Sequence, residues 1–160
     1  MKKALIYIGS IAFLALAMLS CTAECYVAKE SKLGISFLDS ISYKKKNISS
    51  LTVLGLDNDS VLYYNANVSA IYLPLHINNN NTKYRVILPT RVAEKTTPDT
   101  ILLNIDHTPM PQLISEECGC AMFHSLQNVA LENNTYNSKL DITNPNVIND
   151  DKETNIKILH

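Results

Sequence analysis

The chain has no tryptophan and only four glycines among its 160 residues. It also lacks an excess of positive charge, with 14 Lys plus Arg against 15 Asp plus Glu. A protein that neutralises a run of phosphates needs clustered cations, so nucleic acid is not an expected partner. Charged residues of either sign are sparse, at 18 per cent, and Asn, Ser and Thr supply the polarity. No stretch beyond Cys21 repeats its apolar residues at helical spacing over about 12 positions, which argues against a helical core. Catalytic signatures are missing too. There is no Gly-x-Ser-x-Gly and no His-Glu-x-x-His. Glu116 and Glu117 are adjacent, so on a strand they point to opposite faces and cannot act as a simple acid–base pair. The expectation is a protein without enzymatic activity and without a cofactor.

What the chain does have begins at its N-terminus. Lys2 and Lys3 precede a nearly unbroken apolar run from Ala4 to Leu19, closed by Ser20 and Cys21. This is the plan of a secretory signal peptide: a charged start, an apolar middle and a small residue at the cut. Met18-Leu19-Ser20-Cys21 resembles a bacterial lipobox, in which Cys21 becomes the acylated first residue of the mature protein. A retained membrane-spanning helix is the competing reading. The run sits near the lower length limit for spanning, and its Ser-Cys ending favours cleavage. The expected organisation is a lipoprotein signal peptide over 1–20, a lipidated tether over 21–32 and one domain over 33–160. The expected location is the cell envelope, anchored to a bacterial membrane, the outer membrane foremost, through lipid on Cys21.

The other cysteines are Cys25, Cys118 and Cys120. Export implies a setting that permits disulfides, and three thiols allow one bridge with one left over. Bridging Cys118 to Cys120 would strain a small ring. Cys25 with Cys118 is the preferred pair and Cys25 with Cys120 the rival. Either would close a long loop, worth roughly 3–5 kcal/mol in the chain-entropy model.

Alternation marks the strands. Leu33, Ile35 and Phe37 form one, and Asp39 to Ser50 reads as a polar loop with a solvated Lys44-Lys45-Lys46 run. Leu51 to Leu56 and Val61 to Tyr64 form a hairpin around Asp57-Asn58-Asp59-Ser60. Ile71, Leu73 and Leu75 follow, and Pro74, lacking an N–H, assigns that segment to an edge. Tyr84, Val86 and Leu88 give a strand, then Pro89 to Pro98 reads as a polar connection. Ile101, Leu103 and Ile105 give the next strand, which Thr108-Pro109-Met110-Pro111 should break. Met122 to Leu131 forms a strand bent near Gln127-Asn128, Lys139 to Thr143 a short one, and Ile156 and Ile158 suit a final edge strand. The prediction is an all-β, immunoglobulin-like antiparallel sandwich of about seven or eight strands.

Two stretches carry a family resemblance: Leu51 to Tyr63 with Ser69 to Leu75, and Cys118-Gly119 following a tethered Cys25. Over roughly residues 24–131 they resemble a family of small Bacteroidetes lipoproteins known as a domain of unknown function. The resemblance implies a Cys25–Cys118 bridge. Cys120 departs from the family's pattern, and the tail after Leu131 reads as longer than the family's. The lineage also gives a meaning to Asp39-Ser40-Ile41, Asp59-Ser60-Val61 and Asp99-Thr100-Ile101. Each resembles an O-glycosylation acceptor of exported proteins, with Ser40, Ser60 and Thr100 carrying the sugar. The competing reading is ordinary β-turn grammar.

Three further constellations deserve weighing. His107, Cys118, Cys120 and His124 have zinc-ligand chemistry, but their spacing matches no usual site. A disulfide plus two surface histidines is the expectation, with no metal. Asp57, Asp59 and Ser60 open like a calcium loop yet lack its glycine and its terminal glutamate, so a polar turn is expected. Tyr63, Tyr64, Tyr72 and Tyr84 could stack on a sugar, although alternation sends about half of them to the core. The overall expectation is a non-enzymatic structural or binding module whose partner is an envelope protein or a glycan. An accessory subunit of an envelope complex, serving surface assembly or nutrient capture, is the alternative. An unrecognised enzyme is third.

Overall fold

The computed structural model of the chain describes residues 31–57, 59–92, 95–115, 119–133, 138–148 and 153–160. Ten strands follow in order: β1 (Lys32–Leu38), β2 (Ile48–Gly55), β3 (Val61–Val68), β4 (Ala70–Pro74), β5 (Asn81–Val92), β6 (Lys95–Ser115), β7 (Gly119–Glu132), β8 (Lys139–Ile142), β9 (Asn146–Val147) and β10 (Ile156–Leu159). There is no helix among the described residues. A six-stranded sheet runs β3-β2-β5-β6-β7-β9 and a four-stranded sheet runs β4-β1-β10-β8. The expected all-β sandwich is what the chain forms, with ten strands among the described residues where about seven or eight were expected.

Alternation places the core between the sheets. Leu33, Ile35, Phe37, Ile71, Leu73, Ile156 and Ile158 come from the small sheet. They meet Leu51, Val53, Tyr84, Val86, Leu88, Ile101, Leu103, Ile105 and Leu126 of the large sheet in one cluster. The two flanks are tied by polar groups. On one, the Tyr63 hydroxyl of β3 accepts from Tyr72 N–H of β4 at 3.0 Å. On the other, Asn155 Nδ2 donates to the carbonyls of Asn144 and Asn146, and its Oδ1 accepts from Gly34 N–H at 3.0 Å.

Proline explains where the strands depart from the sequence reading. β6 runs on through Pro109 and Pro111 to Ser115, so that stretch does not break it. The β5–β6 ladder ends at Asn81 opposite Asp106, and beyond it β6 pairs with β7 alone. Two prolines at alternate positions can then face the open side, where no ladder bond is lost. Residues 89–92 and 95–98 likewise continue the β5–β6 ladder, with Pro89 opposite Pro98. Pro74 does lie on an edge strand, as expected. β10 is interior, not an edge: it pairs in parallel with β1 and antiparallel with β8. Ser36 Oγ on β1 meets Thr154 Oγ1 at 2.8 Å, so the segment entering β10 also covers the outer face of β1.

Candidate functional site

Ladder register brings two histidines together. The β6–β7 pairing shifts between Asp106 and His107, where Asn128 and Leu126 lie opposite, leaving Gln127 as the extra residue of a bulge. The bend expected near Gln127-Asn128 is thus real. His107 and His124 are both buried, each about 1 % exposed, so they are not the surface histidines the sequence suggested. Their rings meet edge to face, with centroids 4.8 Å apart and Nδ1 atoms 3.2 Å apart. One Nδ1 must carry the hydrogen and the other accept it. Burial, then the neighbouring His107, pushes His124 down to about 4. Burial also lowers His107, helped by His76 and opposed by Asp106.

A polar chain leads outward from this pair. His107 Nε2 lies 2.8 Å from Thr82 Oγ1, which accepts the backbone N–H of His76 at 3.0 Å. The His76 ring is held by Asp57, with Nε2 2.5 Å from Oδ2, and both side chains reach solvent. Asp57, Ser60, Leu62, Leu75, His76 and Lys83 line a half-open concavity of about 170 Å³. That is smaller than the usual drug-sized cleft. Tyr84 closes its floor by donating its hydroxyl to the Pro74 carbonyl. Burial and the Asp57 charge raise the Tyr84 pKa well above the ordinary value, so the hydroxyl stays a donor. The concavity can seat a small polar group between an oriented imidazole, a carboxylate and an ammonium.

A second polar cluster involves the last residue of the sequence. Asp99 is buried, and its Oδ2 has no hydrogen-bond partner among the described residues. His160 is lowered by burial and by Lys46, with Asp99 acting in the opposite sense. Its Nδ1 lies 3.1 Å from Ser138 Oγ, and its carbonyl accepts from Lys46 Nζ at 2.8 Å.

The other sequence candidates scatter. Cys120 is an exposed free thiol opposite Leu113, about 13 Å of extended chain from His124. Cys21, Cys25, Cys118, Glu116 and Glu117 lie outside the described residues. Among the described residues no group of three His, Cys, Asp or Glu could hold a metal ion. Asp57 is engaged with His76, and Asp59 is exposed. Ser40 is exposed in a turn, Ser60 half-buried in the concavity wall, and Thr100 exposed within β6 opposite Ile87. The tyrosines form no shared surface: Tyr84 is buried, Tyr63 and Tyr72 half-buried and bonded together, and Tyr64 exposed.

Residues 50–160 match a family of unknown function, DUF6452. The chain belongs to that family. The DUF6452 match covers most of β2 and everything after it, including the His107–His124 cluster and, apart from Lys46, the cluster around His160. It extends past Leu131 through β10, so the tail is part of the family's domain and not an addition to it. Neither a curated protein nor a solved structure matches the chain.

Proposed function

We propose that this DUF6452 protein is a lipid-anchored module of the bacterial cell envelope that binds a protein or glycan partner without chemistry of its own. The observation that carries the reading is Met18-Leu19-Ser20-Cys21, placed behind Lys2, Lys3 and an apolar run and ahead of a β-sandwich. The likeness to small Bacteroidetes lipoproteins supports it and favours the outer membrane. A Cys25–Cys118 bridge and sugars on Ser40, Ser60 and Thr100 belong to the same reading. Labelled palmitate should enter the wild-type chain and stay in the membrane fraction, whereas Cys21→Ala should lose the label and leave that fraction. Retention of the label by Cys21→Ala would contradict the anchor.

One observation favours the accessory-subunit reading. β3 is the eight-residue open edge of the large sheet and exposes Val61 by 56 % and Tyr64 by 80 %. An apolar edge of that length suits docking to a larger protein. A single stoichiometric partner retained after mild membrane extraction, and lost with Tyr64→Lys, would select this reading over a stand-alone binder.

A further inference from the structure

The loop after β1 is a built turn. Asp39 Oδ1 accepts the N–H of Ile41 at 3.1 Å, the N–H of Ser42 at 2.7 Å and the Ser42 hydroxyl at 2.9 Å. The Asp39 N–H donates to Lys44 O, Tyr43 N–H donates back to Asp39 O, and Lys46 N–H donates to Phe37 O, each at 2.9 Å. Tyr43 takes the left-handed conformation at φ 57°. The Ser42 backbone bond, foremost among these, holds the Asp39 carboxyl below its usual range.

What the turn holds up is unusual for a surface. Ile41 is 88 % exposed and Tyr43 69 % exposed. Lys44 and Lys45 stand exposed beside them. Asp39 is the loop's sole acid, and its Oδ1 is already occupied. This local positive charge is no property of the whole chain, whose net charge is −1. An apolar pair flanked by ammonium groups is complementary to one kind of surface, an apolar layer under anionic headgroups. Tyrosine, with an apolar ring and a polar tip, suits that boundary.

We infer that the Asp39–Lys46 loop docks on an anionic lipid bilayer. Ile41 and Tyr43 enter the headgroup region, while Lys44 and Lys45 meet lipid phosphates. The placement rests on the reading of Cys21 as the anchor. The spacer from 22 to 31 reaches about 33 Å when extended, and β1 spans roughly 23 Å. The loop at the far end of β1 can therefore touch the bilayer that holds the lipid. The anchor supplies attachment, and the loop fixes which way the sandwich faces.

The chain has no tryptophan, so Tyr43→Trp places a single indole at the loop tip. The full chain carrying Tyr43→Trp, with Cys21 and with Cys21→Ser, is titrated with vesicles of phosphatidylglycerol and phosphatidylcholine or of phosphatidylcholine alone. The expected result is a blue shift of emission and quenching by lipids brominated on their acyl chains, in the anionic vesicles only. Adding Lys44→Gln and Lys45→Gln should raise the lipid needed for half the shift about 30-fold. All three substitutions lie on exposed side chains, and an unchanged β circular-dichroism signature confirms the fold. An unshifted, unquenched indole on vesicle-bound protein overturns the docking. So does an equal response to neutral vesicles, or an unaffected lysine variant. A response that persists with Cys21→Ser supports the loop whether or not Cys21 is acylated. Lipid on Cys21 without the response overturns the loop alone.

Discussion

His107 and His124 share one hydrogen between Nδ1 atoms 3.2 Å apart, inside a region that water does not reach. Both are held neutral in the folded chain, His124 down to about 4. In the unfolded chain each titrates near 6.5. Below about pH 6.5 the unfolded state takes up protons that the folded state refuses, so stability falls with pH, and the part due to His124 levels off at about 4. His124 accounts for a loss on the order of 2–3 kcal/mol across that window. Urea midpoints at pH 7 and pH 4.5 check this, and His107→Leu with His124→Leu should remove most of the difference. A slope unchanged in the double variant would place the titrating groups elsewhere. His160 is lowered as well and leaves a smaller residual slope of the same sign. None of this pairing was legible in the sequence. His107 and His124 stood out as metal-type ligands, but the register shift that aims both inward depends on a bulge. The His76–Asp57 pair carries no local signal either, because its partners are 19 residues apart, one in the β2–β3 turn and one in the β4–β5 connection.

At the scale of elements, β1 is the best test of the packing. Its alternation was plain in the sequence, yet Gly34 and Ser36, which alternate with the apolar residues, are buried too. The segment 153–155 lies over them. A Cβ added to Gly34 would collide with the Glu153 carbonyl oxygen. Gly34→Ala should therefore cost at least about 2 kcal/mol, because the backbone on both sides is hydrogen-bonded and cannot give way cheaply. A shift of the urea midpoint checks it, and a neutral result would mean that the 153–155 segment does not sit on β1. Most strands could be read from period-two patterning, since a half-buried strand writes its burial into its own residues. The extensions of β5 and β6 could not. Proline reads as a breaker unless the neighbouring strand is known to have ended. The interior place of β10 was equally hidden, because a parallel partner 121 residues away, Ile35 opposite Ile156, leaves no trace in local spacing.

At the scale of the molecule, two sheets enclose one core, polar side chains tie both flanks, and β3 leaves its apolar edge open among the described residues. A small polar concavity opens on this frame, and a hydrogen-bonded apolar-basic loop projects from it. Under the proposed function, both suit a protein that meets partners at a surface. On the proposed reading, the sandwich works where lipid on Cys21 holds it. The most direct measurement is mass spectrometry of the N-terminal peptide of the mature protein isolated from membranes. The account predicts that the mature chain begins at Cys21 and carries acyl groups there, with residues 1–20 removed. An unmodified Cys21 still joined to Ser20 would contradict it.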